Sequence, residues 1–150
     1  MTADGFPRPA TVLVVDMANV VGSVPDGWWR DRAAAAERLL TGLDLLAGRN
    51  VPGPDGAPIT MAGIVAVLEG RANEARLSDE HTAAGSVEVV RATGSGDDEI
   101  VEQVARVIGG GHHVLVVTAD RGLRARLPAS VATTGPGWLN GLLDCGPTER

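Results

Sequence analysis

The chain has 150 residues, the size of one ordinary domain, and it can bury well over half of its unfolded surface without a disulfide or structural metal. Its formal net charge is −6 and all 13 basic residues are arginine, a balance that disfavours sequence-independent nucleic-acid binding through a basic patch. The lone Cys145 excludes an internal bridge, and Phe6, Trp28, Trp29 and Trp138 are too few aromatics for a base-stacking platform. The start, MTADGFPRPA, lacks the basic end and apolar stretch of a signal peptide, and no apolar run approaches a membrane span. The expected location is therefore cytoplasmic.

Apolar runs alternate with helical patterns along the chain, which predicts a parallel sheet flanked by helices. Thr11 to Val15 (TVLVV) reads as a strand buried on both faces. Trp28 to Ala47 carries Trp28, Ala36, Leu39, Leu43 and Leu46 at helical spacing. NVPGPDGAP reads as a surface loop with its turn at PDG. A second strand is expected within Ile59 to Leu68 and a third over Ser86 to Val90. A helix follows over Asp97 to Ile108, then a fourth strand over Val114 to Val117. A short helix over Arg121 to Leu127, an edge strand over Ser130 to Thr133 and a helical turn over Trp138 to Leu143 complete the chain. The expectation is one α/β domain, a three-layer sandwich with a mostly parallel central sheet of four to five strands, with residues 1–10 and 145–150 as flexible tails.

In an open parallel sheet, ligands bind outside the carboxyl ends of the strands. The first strand runs directly into Asp16, the second into Glu69 and the fourth into Thr118-Ala119-Asp120. The third leads through GSG to Asp97-Asp98-Glu99 at a helix start. Four connections on one edge thus each deliver a carboxylate. At about 100° per residue, Ile100, Val101, Val104 and Ile108 form an apolar stripe with Asp97 on its centre line, Asp98 at its margin and Glu99 on the outer face. Ser95 and Asp98 have capping-box spacing, and first-turn acids also suit the helix dipole. Those structural roles account for Asp98 and Glu99 but not for an inward-facing Asp97. Crowded carboxylates repel unless a cation joins them. Oxygen ligands without His or Cys suit Mg2+ or Mn2+. His112 and His113 precede the fourth strand, on the opposite edge, and His81 falls in a polar loop, so zinc is not expected. Such an ion can activate water and stabilise charge on a phosphodiester.

Three segments resemble the NYN branch of the PIN-like nuclease superfamily, and within it the YacP-like group. VLVVDMANVVG is similar to the family's opening motif, ATGSGDDEIVEQVARVI to its acid pair at a helix start, and VLVVTADRGLRARL to its Thr/Ser, small residue, Asp motif. They occur in the family's order between about Thr11 and Leu143. The resemblance implies a PIN-like parallel α/β sandwich and a metal-dependent ribonuclease acting on single-stranded or structured RNA. It places Asp16, Asp97 and Asp120 at the metal, with Asn19 orienting a ligand or water. Asp98 is accessory and Glu69 a less secure match. Met17 stands where the family has a small residue and would crowd the site mouth.

Among the basic residues, Arg121 directly follows Asp120 and is the better phosphate-binding candidate. Arg30 and Arg32, at the start of the helix after Asp16, would pair with a site acid or touch phosphate. Thr118 completes the expected substrate-side set. A haloacid-dehalogenase-type phosphatase would need an acid at Ala18 and a lysine, and a P-loop protein its Gly-Lys-Ser/Thr. The remaining rival is a catalytically weak PIN-like RNA-binding or protein-interaction module. A homodimer and an inhibitory protein partner stay open.

Overall fold

The computed structural model describes residues 10–23, 32–69 and 87–145. Strand β1 (Ala10–Asp16) leads without a gap into helix α1 (Met17–Gly22), followed by α2 (Arg32–Leu46). A hairpin of β2 (Asn50–Pro52) and β3 (Pro58–Leu68) comes next, then β4 (Val87–Arg91) and α3 (Gly96–Gly109). β5 (His113–Val117), α4 (Arg121–Ala125), β6 (Ala132–Thr134) and α5 (Pro136–Cys145) complete the order. No helix among the described residues is long and apolar enough to cross a membrane.

Among the described residues the strands form one six-stranded sheet. β1 lies at its centre between β3 and β5, β6 pairs with the far side of β5, and both β4 and β2 pair with the far side of β3. Every pairing is parallel except β2 with β3. The central strands bury both faces, and their alternate residues enter two cores. Leu13, Val15, Ile64, Ala66, Leu68, Leu115 and Val117 pack with α1, α2 and Leu139 of α5 on one side. Val12, Val14, Val65, Val67, Val114 and Val116 pack with Ile100, Val104 and Val107 of α3 and Leu123 of α4 on the other. The result is a three-layer sandwich. The β1–β3 register slips between Thr11 and Val12, whose partners are Met61 and Gly63. That bulge is why Met61 and Ile64, three residues apart, both reach the same core.

Several sequence expectations change here. Among the described residues the sheet has six strands, because NVPGPDGAP is not wholly loop: its first three residues are β2. The PDG turn itself forms, with the Gly56 N–H donating to the Gly53 carbonyl (2.9 Å), the Ala57 N–H donating to Asp55 Oδ1 (3.0 Å) and Gly56 at φ +89°. On α3 the inward residue of the last turn is Val107, while Ile108 is 37 % exposed. The final helical turn is a ten-residue helix beginning at Pro136, and the edge strand begins at Ala132. Met17 does not crowd the site mouth. It is fully buried in the first core, so its length fills space under α1. Trp28, Trp29, Arg30 and His81 lie outside the described residues.

Candidate functional site

Because β1, β3, β4 and β5 are parallel, their carboxyl ends share one edge of the sheet, and the acids gather there. Asp16 is the last residue of β1 and the N-cap of α1. Its Oδ1 accepts the Asn19 N–H at 3.3 Å and its Oδ2 accepts the Thr118 hydroxyl at 2.9 Å. The carboxyl group is buried, and burial pushes its pKa up; the Thr118 and Asn19 bonds pull it down, while Asp97 and Glu69 raise it by repulsion. Asp97 is in the first turn of α3 and partly buried. Its pKa is also raised, first by burial and then by Asp120, against a lowering by Arg126. Repulsion thus reaches Asp16 from Asp97 and Glu69, and Asp97 from Asp120 and Asp98.

The second-motif helix starts as its residue types require. Ser95 Oγ accepts the N–H groups of Asp97 (3.1 Å) and Asp98 (3.4 Å). The reciprocal half of a capping box is not used, because Asp98 Oδ1 instead accepts Arg126 Nη2 at 2.7 Å. Glu99 is not on an open outer face: it is partly buried and its Oε2 accepts Gln103 Nε2 at 2.9 Å. Gly96 is buried against Glu69, and a Cβ there would overlap the Glu69 carboxylate. The missing side chain is what lets β3 deliver Glu69 to the start of α3.

Two polar ties join the first and third motifs. Thr118 Oγ1 donates to Asp16 and accepts the Asp120 N–H at 3.1 Å. Asn19 Oδ1 accepts the Ala119 N–H at 2.8 Å. Thr118, expected on the substrate side, is fully buried, so it positions Asp16 rather than meeting a ligand. Asp120 caps α4, with Oδ1 accepting the Leu123 N–H at 3.0 Å. Thr118→Val keeps the shape but leaves Asp16 Oδ2 and the Asp120 N–H without this hydroxyl. A loss of about 2 kcal/mol in urea denaturation is expected, and the Asp16 pKa should rise further because a lowering bond is gone. An unchanged urea midpoint would show that the hydroxyl is dispensable.

Arg121 is exposed at the start of α4. Arg124 is committed to the fold, its Nε and Nη2 donating to the Thr118 carbonyl at 2.9 and 2.6 Å. Arg32 begins α2, whereas Arg30 lies outside the described residues. Sequence reasoning missed Arg126 and Gly96. The Arg126 pair spans 28 residues and left no local signal. A glycine immediately before an acid pair, with another acid needing room, could have marked Gly96.

The donor chemistry suits a hard divalent cation: carboxylates from four connections, with no His or Cys among them. Among the described residues, no three acidic, His or Cys side chains stand ready-made in a ligating array.

No protein-family model and no curated protein sequence matches the chain. Among solved structures, it is similar to a mutant of Rae1 (YacP) from Bacillus subtilis, with a TM-score of 0.61 and 12 % identity over 90 % of this chain and 76 % of that one. Weaker likenesses are a T5 protein co-crystallised with metal ions (TM-score 0.44, 10 % identity, 83 % of this chain and 54 % of that one) and a T5 5'-exonuclease mutant (0.45, 11 %, 84 % and 50 %). Both fall below a TM-score of 0.5 and add nothing to the assignment. The first likeness shows the fold alone: an α/β arrangement with a mostly parallel sheet.

Proposed function

We propose that this chain is a metal-dependent ribonuclease of the NYN, YacP-like kind, hydrolysing RNA phosphodiester bonds at the acidic edge of its sheet. The observation that carries the reading is the convergence of Asp16, Glu69, Asp97 and Asp120 from four separate connections. Burial raises the pKa of Asp16 and Asp97, and repulsion from neighbouring acids adds to it. Charge is not gathered in this way for stability, since each like neighbour opposes folding. It is consistent with holding Mg2+ or Mn2+, which when bound supplies Lewis-acid stabilisation of the charge that builds on a phosphodiester during hydrolysis.

The residues have separable tasks. Asp16, Asp97 and Asp120 would hold the ion, with Glu69 as a fourth carboxylate. Thr118 fixes the Asp16 carboxylate in one orientation through a buried hydroxyl. Asn19 ties the first acidic corner to the third, so that Asp16 and Asp120 keep their separation. Asp98 is paired with Arg126 and stands outside this ligand set. Arg121 is a contact for substrate phosphate at the rim.

The test is cleavage of a labelled single-stranded RNA by the purified protein with Mg2+ or Mn2+, and its arrest by EDTA. Absence of any metal-dependent cutting, with RNA still bound, would favour the second reading, a catalytically weak RNA-binding module. The net charge of −6 is the observation on that side.

Gly96→Ala probes whether Glu69 belongs. The clash falls on the far end of a flexible side chain, which can swing away. Stability in urea should therefore stay within about 1 kcal/mol of wild type. Affinity for Mn2+, measured by calorimetric titration, should fall because Glu69 is displaced. An unchanged affinity would place Glu69 outside the metal site.

A further inference from the structure

A polyanionic substrate must approach a sheet edge where the carboxylates already repel one another, on a chain with a net charge of −6. Some cation beside the acids has to receive the phosphates. Arg124 is occupied by the Thr118 carbonyl. Arg126 is differently placed. It is the C-cap residue of α4, and its Nη2 donates to Asp98 Oδ1 at 2.7 Å. It also lies close enough to Asp97 to oppose the repulsion there. Both partners of its ion pair are open to solvent, with side-chain exposures of 46 % for Arg126 and 70 % for Asp98. An exposed pair of this kind contributes little to stability, so its loss is no obstacle to an exchange of partner.

On the ribonuclease reading, on which this step rests, we infer that Arg126 is a substrate-positioning residue. Asp98 parks its guanidinium at the rim of the acid cluster, and the group transfers to a non-bridging phosphate oxygen when RNA arrives. A guanidinium presents parallel N–H donors that match two phosphate oxygens, whereas Asp98 takes only one of those donors here. The exchange moves one cation from a carboxylate to a phosphate: the phosphate's charge is met by the guanidinium, and the freed Asp98 carboxylate, 70 % exposed, is left to solvent. It also gives the second acid of the Asp97-Asp98 pair a task distinct from metal binding: Asp98 holds the arginine ready and away from pairing with the metal-binding acids.

The test combines steady-state cleavage of a short single-stranded RNA in Mn2+ with thermal melts in EDTA and in Mn2+. Arg126→Ala is expected to raise KM roughly 10- to 100-fold, to change kcat much less, and to leave the Mn2+-induced rise in Tm as in wild type. Arg126→Lys should recover part of the KM, since it restores the charge without the fork. Asp98→Ala should keep the full Mn2+ response, whereas a ligand role for Asp98 requires that response to shrink. Cleaving wild-type protein whose KM is indifferent to Arg126→Ala overturns the assignment alone. So does an Arg126→Ala protein that has lost its Mn2+ response, because the arginine is then structural. Wild-type protein that binds Mn2+ but cuts no RNA overturns the ribonuclease reading, and the arginine's role with it.

Discussion

Asparagine in place of Asp16 or Asp97 is expected to lower RNA cleavage by at least about 100-fold. Loss of a group that merely orients a metal ligand commonly costs 10- to 100-fold, and loss of the ligand itself should cost no less. The amide is nearly the same size as the carboxylate but is a neutral, weaker donor toward a hard cation. The two variants should differ in stability. Asp16 is buried and its two oxygens accept from the Asn19 N–H and the Thr118 hydroxyl. An amide at this position can match only one of them with an oxygen, so Asp16→Asn should be the less stable of the pair. Asp97 is partly buried and its backbone N–H, rather than its carboxylate, makes the cap contact with Ser95. Asp97→Asn should therefore fold as wild type does, which makes it the cleaner test. Undiminished cleavage by well-folded Asp97→Asn protein would remove Asp97 from the mechanism.

The second large effect is on stability, and it needs no knowledge of the substrate. A divalent ion held by the folded edge has no comparable site in the unfolded chain, so it stabilises the fold. At roughly ten times its Kd the gain is about 1.4 kcal/mol, a rise in Tm of about 4 °C for a domain of this size. Without the ion, pH acts in a defined direction. The folded pKa values of Asp16 and Asp97 lie above the ordinary value of 3.8. Their contribution to stability is therefore fully present below about 3.8 and is lost as pH rises through the raised folded values, where the folded state binds more protons than the unfolded one. Burial is the first cause at both groups; repulsion from Asp97 and Glu69 adds to it at Asp16, and from Asp120 and Asp98 at Asp97, while the Thr118 and Asn19 bonds oppose it at Asp16 and Arg126 opposes it at Asp97. Asp97→Asn removes one titrating group and one neighbour of Asp16. In EDTA near neutral pH it should melt at the wild-type temperature or above, and the two proteins should converge in acid. Its Mn2+ response should be much reduced. A lower Tm in EDTA with a full Mn2+ response would instead make Asp97 a structural residue of its helix.

The acidic edge was legible in the sequence because position relative to a strand end is a local property. A short, β-branched apolar run such as TVLVV reads as a strand buried on both faces, and the residue that ends such a strand emerges at the edge. Asp16, Glu69 and Asp120 follow from that reasoning, and helical periodicity turned Asp97 inward in the same way. The alternating order of strands and helices determined the parallel three-layer architecture. Local chemistry also explains the turn at Pro54-Asp55-Gly56 and the Ser95 cap, since both use neighbours within three residues.

What depended on distant partners was decided only by the tertiary structure. β2 is three residues of Pro- and Gly-rich sequence, and it is a strand because Pro58–Thr60 stand ready to pair with it. Met17 reads as an obstruction at the site mouth until the fold supplies a core that takes it in. Thr118 becomes a positioning residue through an Asp16 that is 102 residues away in sequence. Asp98 leaves its expected cap for an arginine 28 residues on, and Gly96 acquires its meaning from Glu69 across the sheet edge. Sequence patterns record which face a residue turns to, because burial repeats with the period of the element. They do not record which side chain waits on that face, because the partner is brought there by chain crossovers that leave no periodic trace.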